Sequence, residues 1–222
     1  MRPSGAFWIS ALLVAATLGV ALWAWLALPP GAGVPTHYLG LDGHRHAGVS
    51  RAALWVIPFV SAIVTLGLTF GPRFTGRAVE AYAPELYAMI LISVTGLLLV
   101  TESTLVARAF DADYNVMRPV AMATGVLLLA VGNYLGKARQ NAVVGIKTPW
   151  TLSDPRVWDK THRFTGRAMF LGGLALIALG FALHDGNLLG AAIAACTALP
   201  VLAGAVWSRV LHGQAAGTVL RR

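Results

Sequence analysis

Six apolar runs, each near the length a helix needs to cross a bilayer, govern what this chain can fold into: Ala6 to Leu28, Ala52 to Phe70, Leu86 to Val106, Pro119 to Gly136, Ala168 to Leu183 and Leu188 to Trp207. Hydrocarbon offers no partner to a free N–H or C=O, so a spanning segment must close its own hydrogen bonds over about 20 residues as a helix. Composition agrees with this reading. Charged side chains make up 12% of the 222 residues, about half the ~25% with which a soluble domain covers itself. The expected fold is therefore all-α, a polytopic membrane protein of about six transmembrane helices. The fifth run is the shortest, and Arg167 and His184 at its ends can snorkel to the interfaces. The first run is longer than a secretory signal core, and Pro29-Pro30 stands where a small-residue cleavage site belongs, so it reads as a retained helix.

The net charge of +8 does not call for direct nucleic-acid binding, because the charges lie between apolar runs and not on one face of a soluble domain. Their distribution encodes topology instead. Of the 17 Lys and Arg, only Arg45, Arg51, Arg108 and Arg118 fall in one set of alternate connections, and the other 13 fall in the opposite set together with both ends of the chain. The positive-inside rule then places both termini in the cytoplasm. The chain divides into an N-terminal three-helix region, 1–118, with an external loop rich in Pro, Gly and His, and a C-terminal three-helix region, 119–222. The hexapeptide Arg73-Phe74-Thr75-Gly76-Arg77-Ala78 recurs unchanged from Arg163 to Ala168. Basic residues and Gly recur at cytoplasmic interfaces for topological reasons, so the echo marks local equivalence and not ancestry.

The segment 132–167 departs from a generic helical bundle. Asn133 and Tyr134 fall at a helix end, Gly145 gives a corner, and Thr148 before Pro149 is biased to extended backbone. Asp154 followed by Pro155 reads as an N-cap and first helical residue, opening a short helix through about His162. On it Val157, Trp158 and Thr161 share one face, and Arg156, Lys160 and Arg163 the other. That helix is expected to float on the membrane surface, with Trp150 and Trp158 as anchors.

These residues also carry a resemblance. The string Asn141-x-x-x-Gly145-Ile146-Lys147-Thr148-Pro149-Trp150-Thr151-Leu152, followed by Val157-Trp158-x-x-Thr161-His162-x-x-x-Gly166, resembles the signature of the SdpI-like membrane proteins, the bacterial Sdp immunity family. Pro35-Thr36-His37 in the first external loop is similar to the Pro-Thr-His segment of an uncharacterised domain that often precedes that signature. Gly136, where many relatives carry Pro, and Ala142-Val143, where an aromatic pair is frequent, depart from the pattern. The resemblance implies a multi-pass protein of the bacterial inner (plasma) membrane that protects its cell against a secreted, membrane-active peptide toxin, and in some members holds a cytoplasmic repressor at the membrane. Asn133, Lys147 and the signature residues are the functional motif this implies.

Other candidates carry bland readings beside sharp ones. Lys147, Arg156, Lys160, Arg163 and Arg167 form either a docking patch for an acidic partner or an ordinary positive-inside loop. His37, His44 and His46 with Asp42 match no standard metal spacing, so no metal is expected. Glu102, within the third run, is either an ion-path carboxylate or a snorkelling interfacial acid. Cys196, the one cysteine, reads as a small buried hydrophobe. No nucleophile elbow, zinc-hydrolase helix or phosphate loop is present, so neither an enzyme nor a cofactor is expected. The alternative function is a small membrane transporter or membrane-embedded enzyme with Glu102, Asn133 and His162 lining a polar path. The sequence leaves the oligomeric state open.

Overall fold

The computed structural model describes residues 5–34, 49–74, 84–111, 113–141 and 144–219. Seven α-helices follow in order: α1 (Gly5–Ala27), α2 (Val56–Phe74), α3 (Pro84–Phe110), α4 (Met117–Leu135), α5 (Pro149–Ser153), α6 (Pro155–Ala182) and α7 (Gly186–Val219). Among the described residues, all but α5 are long and apolar enough to cross a membrane, six helices in all. The chain is a multi-pass helical membrane protein. Between α1 and α2, the two-residue strands β1 (Gly33–Val34) and β2 (Val49–Ser50) pair antiparallel, and a 3-10 turn (Arg51–Trp55) leads into α2. Pro35, Thr36 and His37, with Asp42, His44 and His46, lie outside the described residues, as does the rest of the first hexapeptide copy beyond Phe74.

The packing inverts that of a soluble protein. Leu12 and Leu26 of α1 are 72% and 76% exposed, facing where lipid lies, whereas the residues α1 buries are Ser10, Thr17, Ala21 and Ala24. Small and hydroxyl-bearing side chains let helix backbones approach where no hydrophobic gain drives association. Helices α1, α2 and α3 pack on one another, as do α4, α6 and α7, and α3 against α4 joins the two sets.

The α4–α6 contact is built on glycines seven residues apart. A methyl at Gly132 would come within 2.6 Å of the Gly166 carbonyl oxygen, and one at Gly125 within 2.7 Å of the Gly173 carbonyl oxygen. A side chain at either place would force the helices apart. At the far end Arg118 ties the pair: its Nε donates to the carbonyl of Gly180 at 3.0 Å and its Nη2 to that of Phe181 at 3.1 Å. Arg51 does the same for α1, donating from Nη1 to the carbonyl of Leu28 at 3.0 Å and lying 4.0 Å over the Trp25 ring. Both arginines thus satisfy carbonyls that a helix C-terminus leaves without an intrahelical partner.

Four expectations need correction. The short surface helix and the fifth span are one continuous helix, α6, of 28 residues, because no proline interrupts Arg163 to Ala168 and Gly166 is needed against Gly132. Trp158 is not an interfacial anchor; it is 2% exposed. Glu102 does not snorkel, being 1% exposed on α3. Cys196 is only half-buried, beside Gly172.

Candidate functional site, a clasp joining four helices

The connection from α4 to α6 doubles back over the end of the bundle, and its shape follows from local chemistry. Asn141 closes the first turn, its Oδ1 accepting from the Val144 N–H at 2.8 Å while its Nδ2 donates to the Arg139 carbonyl at 2.8 Å. Gly145 then adopts φ +130°, backbone that side chains with a Cβ rarely enter. Thr148 is extended, as the following proline requires, and caps α5. Its hydroxyl accepts from the Thr151 N–H at 3.1 Å, and the Thr151 hydroxyl accepts from the Thr148 N–H at 2.9 Å, a reciprocal capping box. Pro149 takes the first helical position, where a missing N–H costs nothing. Asp154 caps α6 with its Oδ1 accepting from the Arg156 N–H at 2.7 Å, ahead of Pro155, as expected.

Trp158 and His162 form the centre. They lie one turn apart on α6, and their rings stack with centroids 3.9 Å apart and 20° between planes. Trp158 Nε1 donates to the carbonyl of Ala138 at 2.8 Å, reaching back to the chain just after α4. His162 Nε2 accepts from the Ile146 N–H at 2.9 Å. Since that nitrogen needs its lone pair, the ring proton sits on Nδ1, which donates to the Trp158 carbonyl at 2.8 Å. Both ring nitrogens of a neutral imidazole are thereby used. Gly145 passes so close that a Cβ there would meet His162 Nε2, and the Trp158 ring at 2.9 Å. This position needs glycine for its conformation and for its space.

The clasp extends to α7. The Thr151 hydroxyl donates to the Ile146 carbonyl at 2.7 Å, and the hydroxyls of Thr148 and Ser208 lie 3.0 Å apart. Gly204 of α7 faces Thr165 and Ile146 with no room for a side chain. Gln140 Nε2 donates to the carbonyls of Thr151 and Leu152 at 2.7 and 2.8 Å, closing the loop on itself. Arg209 stands 5.9 Å over the ring of the half-buried Trp150.

The structure thus brings together Asn141, Gly145, Thr148, Pro149, Thr151, Trp158 and His162. Thr161 is fully buried beside them on α6, its hydroxyl without a hydrogen bond, and Gly166 serves the α4–α6 contact. Lys147 is exposed. Asn133 is not part of the clasp; it is exposed on the last turn of α4, beside an adjoining cavity. Glu102 lies on α3, in the other three-helix set. Arg156, Lys160, Arg163 and Arg167 form the exposed face of α6. Ser208, Gln140 and Gly204 are contributors that the sequence reading passed over. The seven-residue glycine spacing of α4 and α6 could have been read from the chain; nothing in the sequence pointed to Ser208. Among the described residues no cluster of His, Cys, Asp and Glu is suited to a metal ion.

Comparison with known proteins falls on this same region. The profile of the SdpI/YfhL protein family matches residues 137–208, from the end of the α4 turn to the serine that Thr148 touches. The immunity protein SdpI of Bacillus subtilis (strain 168) is 32% identical over 69 residues, 31% of this chain. The chain spans about a third, 33%, of that relative's length. No solved structure matches. The similarity to the SdpI/YfhL protein family thus lies over residues 137–208, which fold as the clasp and the helices it ties together.

Proposed function

We propose that the protein is an immunity protein of a bacterial plasma membrane, protecting its cell against a secreted membrane-active peptide, with the α4–α7 clasp as its working part. The observation that carries this reading is the coincidence of the family match with the clasp. The matched stretch begins at Lys137, beside the carbonyl that Trp158 holds, and ends at Ser208. In this reading both termini and the clasp face the cytoplasm, regions 1–118 and 119–222 act as two three-helix units, and the toxin meets the outer helix ends and the Pro35-Thr36-His37 loop. A ligand that binds one helix arrangement better shifts the population of arrangements, and a clasp spanning four elements would pass that shift to the cytoplasmic face. A small acidic repressor would find its surface in the exposed Lys147, Arg156 and Lys160.

The test is expression in a sensitive bacterium, challenged with a panel of secreted membrane-depolarising peptides while membrane potential is followed. Retained potential against one or more peptides, lost in the His162→Ala variant at equal membrane abundance, is the expected result. Killing that is unchanged across the panel would overturn the reading.

One observation favours a second reading, transport. Glu102 is 1% exposed, and its Oε1 has no hydrogen bond. The buried positions of the neighbouring α2 include Ser61 and Thr65, whose hydroxyls likewise lack a hydrogen bond. Intramembrane carboxylates facing a bundle interior mark proton and ion paths. Proton flux in reconstituted vesicles, abolished by Glu102→Gln, would favour this reading over immunity.

A further inference from the structure

Between the end of α4, the turn after it and the first turns of α6 lies a cavity of 940 Å³. It adjoins the clasp, sharing Ala138, Gln140 and Trp158 with it, and it has two chemically distinct ends. Lys137, Arg139, Arg163 and Arg167 line one end, with Asp159 the one acid among them. Phe170 and Leu171 line the other; they are 40% and 65% exposed on the apolar stretch of α6, where lipid tails lie. From Arg167 to Leu171 is one turn of α6, a rise of about 6 Å, so the change from cationic to apolar falls at the depth of a headgroup boundary. Its floor is the α4–α6 contact itself, where Gly132, Gly136 and Gly166 bring the two helices together.

We propose that this cavity binds a phospholipid with an anionic phosphodiester headgroup, the phosphate among the cations and the acyl chains along Phe170 and Leu171. Charge selects the anionic class. Asp159, the one acid on the lining, is paired with Arg163, Nε to Oδ1 at 3.0 Å, so the carboxylate that could attract the ammonium of a zwitterionic headgroup is already offset by a cation. A surplus of three positive charges remains on the lining. Basic pockets between helices on the cytoplasmic side are suited to such headgroups. The apolar end selects a lipid over a soluble phosphate, which would leave Phe170 and Leu171 unmet. Asn133, exposed on the wall, supplies an amide donor to a phosphate oxygen. This gives a role to Asn133, a residue of the functional motif that stands apart from the clasp.

The test uses the full chain in phosphatidylcholine nanodiscs doped with phosphatidylglycerol, reading by native mass spectrometry the lipid retained after release. Retention of phosphatidylglycerol over phosphatidylcholine is expected. R139Q/R167Q should reduce that retention roughly tenfold, whereas R156Q/K160Q, an equal charge loss on α6 outside the cavity, should stay within about twofold. If the first pair fails to incorporate, Arg139→Gln alone, on the turn and outside every helix, should lower retention about threefold. Equal retention of both lipids, equal loss in both double variants, unchanged retention in Arg139→Gln, or displacement of the lipid by millimolar inorganic phosphate would each overturn the proposal.

Discussion

The indole of Trp158 lies on the imidazole of His162, centroids 3.9 Å apart, and the two rings hold opposite ends of the same loop: Trp158 the Ala138 carbonyl, His162 the Ile146 N–H. The nine-residue stretch from Ala138 to Ile146 is pinned at both ends by two side chains one helical turn apart, so the loop is positioned by α6 and not by its own stiffness. Trp158→Phe keeps an aromatic ring on His162 and removes only the donor, which should cost about 1–3 kcal/mol for an orphaned carbonyl. Trp158→Ala empties the site and should cost about 3–5 kcal/mol. Thermal melting in nanodiscs checks both, and equal melting points for the two variants would show that the stack contributes nothing.

Gly145→Ala should disable the clasp more than its one methyl implies. The φ of +130° disfavours any Cβ, and the methyl would also meet His162 Nε2 and the Trp158 ring. Strained backbone of this kind costs about 1–3 kcal/mol before the clash is counted. Gly213→Ala, with nothing within 4 Å, is the matched control. Toxin protection and melting point should fall in the first variant and hold in the second.

How much of this was legible beforehand varies with the range of the interaction. The spans were legible because bilayer thickness imposes length and apolarity on consecutive residues. So were the Asp154 and Pro155 helix start, the extended Thr148 and the two faces of α6, all set by neighbours within about one turn. What escaped depends on contacts between distant segments. The sequence shows Trp158 as an amphipathic aromatic suited to an interface, and only the arrival of the Ala138 carbonyl turns it inward. Ser208 is one hydroxyl near the end of an apolar run until Thr148 reaches it. The continuity of α6 was missed because the polar stretch from Asp154 to about His162 read as a short surface helix, whereas α4 packs on Gly166 and Gly204 of α7 on Thr165, within one helix.

The tie between Thr148 and Ser208 joins the loop to α7 through hydroxyls 3.0 Å apart. Thr148→Val and Ser208→Ala should each destabilise, and the double variant by less than the sum, with a coupling of about 0.5–1.5 kcal/mol. Thr148 also caps α5, so Thr148→Val alone should cost more than Ser208→Ala. Strict additivity in melting would show that the two hydroxyls do not interact.

Gly132→Val and Gly166→Val should separate α4 from α6, since a Cβ at either position falls within 2.6 Å of the opposing carbonyl oxygen. The small-residue interface supplies close packing that lipid cannot replace. Because Trp158 reaches Ala138 across this same helix pair, the clasp should open along with it. Gly96→Val on α3 has open space and is the control. The expected signature is a lower melting point and loss of protection for Gly132→Val and Gly166→Val, with Gly96→Val near the parent.

The sidedness of the clasp follows from charge and can be read directly. Thirteen of 17 basic residues fall in the connections on one side, seven of them from Lys137 to Arg167, and Lys and Arg near helix ends resist translocation. Lys160→Cys in a Cys196→Ser background places one thiol on the exposed face of α6, clear of the cavity. A membrane-impermeant maleimide added to intact cells should leave it unmodified, and should modify it fully once the membrane is opened. Arg108→Cys is less suitable as an outer-face partner, because Arg108 Nη1 holds the Tyr114 carbonyl at 2.9 Å; the exposed Asp113 serves better as Asp113→Cys. That thiol should label in intact cells. Labelling of the Lys160 position and not the Asp113 position before permeabilisation would invert the topology, and with it the route by which an external peptide could act on the clasp.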